Sequence, residues 1–174
     1  FSVTKPEIDF AGPIIDAAAD VAKAVTARVL FAYVSAVEDL TVLQSAVKPP
    51  TKLILVCRDA DDALRARERS ITAMSVPAFD LTRMGQIKMA TLIAFSQQLL
   101  KAGDVFVFLT GVAGRMVDTL VAMRVGEEFE LFQSVGQPHL TEHIRRPVFE
   151  RVLRLALELA HEGREDAPRA FGQP

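Results

Sequence analysis

Three histidines, one cysteine and a short glycine-bearing run are the residues of this sequence that could do chemistry. His139 and His143 stand four apart, the spacing that puts two imidazoles on one helical face for a metal. No His-Glu-x-x-His pattern joins them and Pro138 stands beside them, so they read as surface or linker histidines. Cys57 closes the apolar run Lys52-Leu-Ile-Leu-Val-Cys57 with no histidine near it in sequence, which suits a buried strand residue better than a nucleophile. Leu109-Thr-Gly-Val-Ala-Gly114 could offer backbone amides to a phosphate or simply turn the chain. It lacks the flanking pattern of Gly-x-Gly-x-x-Gly and of a phosphate loop ending in Gly-Lys-Ser/Thr. No Gly-x-Ser-x-Gly elbow exists. Arg145-Arg146 reads as a solvated pair at a helix start, with nucleotide contact as the alternative. No catalytic residue and no metal ligand is assigned, so regulation, binding or assembly is expected rather than chemistry.

The elements that must position any site follow from periodicity. Ile14, Ala18, Val21, Ala22 and Val25 fall at helical spacing and predict a helix from about Gly12 to Thr26. Arg28-Val-Leu-Phe-Ala-Tyr33 is a first strand, and a helix from about Ala36 to Val47 stops before Pro49-Pro50. Lys52–Cys57 is a second strand, continuously apolar as a strand covered on both faces should be. Asp59, Asp61 and Asp62 open the next helix and Arg65, Arg67 and Arg69 close it, matching the helix dipole. Pro77-Ala-Phe-Asp80 is expected as a weak third strand. Met89, Leu92, Ile93, Leu99 and Leu100 stripe a long central helix ended by Gly103, and Val105–Leu109 is the fourth strand. Only nine residues, Thr110 to Asp118, precede the run Thr119–Val125. A parallel return needs about a dozen or more, so that run is expected as an antiparallel edge strand. Phe129–Phe132 has no clear element. Residues 136–146 are expected as a linker, 147–162 as a helix with a wide apolar face built on Phe149, Val152, Leu153, Ala156, Leu159 and Ala160, and 163–174 as a charged tail. Leu155 and Leu157 widen that face beyond one packing partner.

The alternation implies an α/β fold: a three-layer, mostly parallel five-stranded sheet with one antiparallel edge strand. In such sheets ligands favour the carboxyl ends of the strands. There the sequence places Ser35 and Glu38, Arg58, Thr82 and Arg83, and Thr110, Gly111 and Arg115. This mixed-charge rim could hold a small polar effector. Helix caps and surface ion pairs explain it equally well.

Composition bounds the partners. The 174 residues carry 20 Lys and Arg against 22 Asp and Glu, a net charge of −2, which gives no broad attraction to nucleic acid. No stretch approaches the roughly 20 apolar residues of a membrane span. Phe1-Ser-Val-Thr-Lys-Pro-Glu7 lacks a signal-peptide pattern, and a single cysteine suits a reducing, cytoplasmic compartment. The chain starts without Met, so residues before Phe1 are expected.

Two family resemblances rest on these runs. Gly103-Asp-Val-Phe-Val-Phe-Leu-Thr-Gly111 followed by Asp118-Thr-Leu-Val-Ala-Met-Arg-Val125 resembles the last two strands of the pyruvate kinase C-terminal domain. The helix–strand–helix–strand opening through Arg58 resembles its start, so the likeness covers about residues 8–126 in pattern. It implies the same five-stranded sheet. The Ser/Thr- and Gly-rich effector loop of that family is replaced here by Ser35-Ala-Val-Glu-Asp39, which argues against phosphosugar binding of that type.

Secondly, Leu109-Thr-Gly-Val-Ala-Gly-Arg115, Asp118-Thr-Leu120 and Val125-Gly-Glu-Glu-Phe-Glu-Leu-Phe132 resemble the close of the N-terminal domain of archaeal-type diadenylate cyclases. Pro147–Ala160 with Glu162-Gly-Arg164 resembles the first helix of their cyclase domain. The family's Asp-Gly-Ala and Arg-His-Arg motifs are not in this chain, so no catalytic residue is carried over. The resemblance implies a regulatory or assembly domain at 8–135, a linker at 136–146 and the start of a cyclase domain at 147–174. ATP and a divalent metal would belong to that downstream domain, with no cofactor in this chain. The implied partners are a second copy of the chain, its own downstream catalytic domain and a small-molecule effector, with no nucleic acid and no membrane. A stand-alone ligand-binding module is the alternative.

Overall fold

The computed structural model describes residues 10–79, 81–112 and 116–126, and part of a helix within 147–159. The chain divides into two compact units, Phe1–Gly136 and Gln137–Pro174.

The first unit is one five-stranded sheet in the order β3-β2-β1-β4-β5. Its strands are β1 (Val29–Tyr33), β2 (Lys52–Cys57), β3 (Ala73–Ser75), β4 (Val105–Val112) and β5 (Met116–Arg124). The first four run parallel, and β5 returns antiparallel along β4 at the edge. The helices are α1 (Ala11–Ala24), α2 (Leu40–Ala46), α3 (Ala60–Glu68) and α4 (Arg83–Ser96). Right-handed crossovers fix their sides. The chain steps from β1 to β2 to β3 in one direction, so α2 and α3 share a face. It then steps back from β3 to β4, which sends α4 to the other. α1 packs against α2, β4 and β5 and so covers the first face.

Cross-strand partners share a face, so pairing sorts the core. Phe31 pairs with Ile54 and Phe108, and Tyr33 with Val56. This is the α4 face, since the Tyr33 hydroxyl reaches α4. Here Phe31 stacks on Phe108 at 5.5 Å and meets Phe106 edge-on at 6.0 Å. The opposite face presents Leu30, Ala32, Leu55, Val107 and Leu109, all buried, to Ala18, Ala22 and Ala66 of the helices. Small residues let the helices lie close. Burial on both faces is why β1 and the end of β2 read as unbroken apolar runs.

The structure corrects several boundaries. The second helix does not begin at Ala36: a 3-10 turn at Val34–Ala36 comes first, and Asp39 caps α2 by accepting from Thr41 N–H at 2.8 Å. β3 is Ala73–Ser75 and not Pro77–Asp80; Pro77 has no N–H for a ladder, and Asp80 lies outside the described residues. α4 ends at Ser96, followed by Gln98 at φ +58, so Gly103 turns the chain into β4 instead of ending the helix. Leu99 and Leu100 lie after the helix, with Leu100 buried. β4 and β5 each extend into the segment taken as a connection, leaving only residues 113–115 between them.

In the second unit Pro147, Val148, Arg151, Val152, Arg154–Ala156, Glu158 and Leu159 are helical. Val148, Val152, Leu155 and Leu159 are exposed. Phe149, Leu153, Leu157, Ala160, Phe129–Phe132, the 136–146 linker, the tail, the three histidines and Arg145-Arg146 lie outside the described residues.

Candidate functional site

Because α4 leads into a parallel strand, its N-terminus lies at the carboxyl end of the sheet. Thr82 caps it, accepting from Gly85 N–H at 3.2 Å. The first turn holds no acid and places Arg83 and Gln86 one turn apart on one side. Gln86 is the centre of the site. Its backbone carbonyl accepts from the Tyr33 hydroxyl at 3.1 Å and its Oε1 from the Thr110 hydroxyl at 2.6 Å. Its Nε2 donates to the Leu81 carbonyl at 3.3 Å. One glutamine thereby joins β1, β4 and the loop before α4.

Arg83 reaches β5. Its Nε donates to Asp118 Oδ1 at 2.9 Å and its Nη2 donates to Oδ2, a two-pronged ion pair. The Thr119 hydroxyl adds a bond to Oδ1 at 2.7 Å. These contacts hold the Asp118 carboxyl below the usual carboxylate range, the Arg83 bonds foremost. A β-bulge makes the contact reachable: Thr110 pairs with Thr119 but Gly111 with Val117, so Asp118 is the extra residue.

Arg58 follows β2. Its guanidinium donates to the Phe79 carbonyl at 3.3 Å, and its charge acts on the Tyr33 hydroxyl. Burial outweighs that charge and raises the Tyr33 pKa. The Arg58 amide donates to Asp62 Oδ2 at 3.0 Å. Asp62 is buried, and burial pushes its carboxyl up, with Asp59 adding to the effect.

Of the residues expected at the rim, Thr82, Arg83 and Thr110 converge on the first turn of α4, with Gly111 next along β4 and Arg58 near Tyr33. Ser35 lies in the turn directly after β1, and Glu38 follows it. There Arg65 of α3 donates to the carbonyls of Val34, Val37 and Glu38 at 3.1, 2.7 and 3.0 Å, pinning the turn after β1. Arg115 lies outside the described residues. Sequence reasoning missed Gln86, Tyr33 and Asp118 as members of the site. Their partners lie 24 to 53 positions away, so no local pattern marks them.

Cys57 is buried, and burial with the nearby Asp62 and Asp59 pushes its thiol up to about 11, the reverse of an activated thiolate. Among the described residues no group of three or more His, Cys, Asp or Glu could hold a metal, and no buried side-chain polar atom lacks a partner. Among them, too, no helix is long and apolar enough to cross a membrane.

Comparison with known proteins agrees with this architecture. A pyruvate kinase from Cryptosporidium parvum superposes with a TM-score of 0.54 at 16% identity, over 69% of this chain and 23% of that enzyme. The chain thus spans about a quarter of that enzyme's length, and at that identity the likeness is one of fold alone. No curated protein matches. Residues 12–132 match the family described as "Probable sensor domain DacZ_P". That match spans the whole sheet and the clustered site residues, and by it the chain belongs to the DacZ_P sensor-domain family.

Proposed function

We propose that this chain is the non-catalytic regulatory and assembly part of a cytoplasmic diadenylate cyclase. Cyclic di-AMP would be formed from two ATP molecules by a domain downstream of it. The observation that carries the reading is the sensor-family match over residues 12–132. The resemblance of Pro147–Ala160 to the first helix of a cyclase domain supports it, as does the cluster of polar side chains at the N-terminus of α4. ATP and a divalent metal belong to the downstream reaction. This chain needs no cofactor of its own. The cyclase joins two nucleotides held face to face, so a domain that positions subunits acts through orientation. A homo-oligomer is the natural assembly for that role.

The test compares this chain with the longer protein encoded by the native gene, each given ATP and a divalent metal. The longer protein should form cyclic di-AMP and the 174-residue chain should not. Cyclic di-AMP from the short chain alone would refute the reading. A stand-alone binding module remains the second reading, favoured by the convergence of Thr82, Arg83 and Thr110. It predicts a thermal shift with a small polar ligand, worth about 2.7 kcal/mol at a hundredfold excess over Kd. A flat screen across nucleotides and sugar phosphates would remove it.

A further inference from the structure

The first turn of α4 grips the β4–β5 hairpin with two arms of different strength. Gln86 takes Thr110 of β4, and Arg83 takes Asp118 of β5. Asp118 is the bulged residue itself, and Thr110 pairs with its neighbour Thr119 where the register shifts. The Gln86 arm is fixed: Thr110 is fully buried, and the Gln86 carbonyl is held from below by the buried Tyr33. A buried, satisfied network opens only at high cost. The Arg83 arm is different. Its side chain is 45% exposed and that of Asp118 26%, so water and ions reach the pair. β5 is also the edge strand, its middle half-buried, and it is the last strand described before the chain passes to the second unit.

We infer that the Arg83–Asp118 pair is a releasable clasp that couples the rim at the N-terminus of α4 to the bulged end of β5. The inference rests on the regulatory reading above and names how that regulation would leave the first unit. With the clasp closed, Met116–Thr119 is tied to the first turn of α4 through Asp118. With it open, those residues loosen while Leu120–Arg124 stays paired with β4. Anything at the rim that draws Arg83 away from Asp118 therefore changes the start of β5 without unfolding the sheet.

Hydrogen exchange resolved by segment tests this on the full 174-residue chain. The variants are Arg83→Gln, Asp118→Asn, the double variant and Arg83→Lys. Each of Arg83→Gln and Asp118→Asn should speed exchange over residues 116–119 about fivefold, the upper end for an exposed pair. The double variant should exchange no faster than either single one, since both remove the same contact. Arg83→Lys keeps the charge but loses the two-pronged geometry and should fall between wild type and Arg83→Gln. Exchange in β1 and β2 should not change. A uniform rise across the whole sheet, or no rise over 116–119, would overturn the clasp. Neither readout involves cyclic di-AMP, so the clasp and the cyclase assignment fail separately. If the longer protein is a cyclase, Arg83→Gln and Asp118→Asn should alter its rate in the same direction. Unchanged rates with a loosened hairpin would overturn the coupling.

Discussion

Two aspartates in this protein titrate in opposite senses. Asp118 has its pKa lowered by Arg83. A lowered folded pKa gives stability that is present above the unfolded value and lost as pH falls through the folded one. Asp62 has its pKa raised, burial being the main cause. Its contribution is full below the unfolded pKa and is lost as pH rises through the folded pKa. At neutral pH the buried Asp62 charge is thus a liability. Its carboxylate nonetheless holds the Arg58 amide, a role an asparagine carbonyl can keep. Asp62→Asn should therefore raise the unfolding midpoint near neutral pH, and the gain should vanish at acid pH. Asp118→Asn should lower it near neutral pH, and that loss should also vanish at acid pH. Thermal unfolding followed against pH decides both. An Asp62→Asn variant less stable than wild type at neutral pH would mean that Arg58 and Arg65 hold the ionised form in place.

Among the elements, the β4–β5 hairpin shows both what a sequence can reveal and what it conceals. Its antiparallel sense follows from chain length alone, because too few residues separate the two runs for a crossover. β1, β2 and the capped, charge-polarised α3 were legible for similarly local reasons. The bulge was not legible. It depends on the register between Thr110 and Thr119, and on Gly111 facing Val117, which no periodicity encodes. β3 was misread because a three-residue strand carries no alternation, whereas the apolar Pro77-Ala-Phe79 nearby does draw the eye. At Gly111 the demand is steric: a methyl group there would overlap the backbone carbonyl of Met116. Gly111→Ala should cost about 1–3 kcal/mol. Gly12, in α1 with open space around it, makes the contrast. Gly12→Ala should change stability by less than about 0.5 kcal/mol, because the gain in helix propensity is opposed by the clash of a Cβ with the ring of Pro13. Urea unfolding of the two variants checks the contrast, and equal effects would mean the bulge can shift to accept a side chain.

At the scale of the whole molecule the question is how much chain the fold requires. Both faces of the sheet are closed by elements within residues 11–96, and β5 shields the far side of β4. Without β5, the fully buried Phe106–Leu109 would lie on an open edge, and α1 would lose part of the surface it packs on. A long apolar edge invites pairing with other chains. A fragment of residues 1–112 should therefore aggregate or fail to unfold cooperatively. A fragment of residues 1–136, the first compact unit, should unfold cooperatively within about 2–4 °C of the full chain, the shift expected for about 1 kcal/mol. Calorimetry and sedimentation on the two fragments decide the matter. If the longer fragment melts far lower, the second unit contributes to the stability of the first. If the two midpoints agree, the first unit is thermodynamically independent.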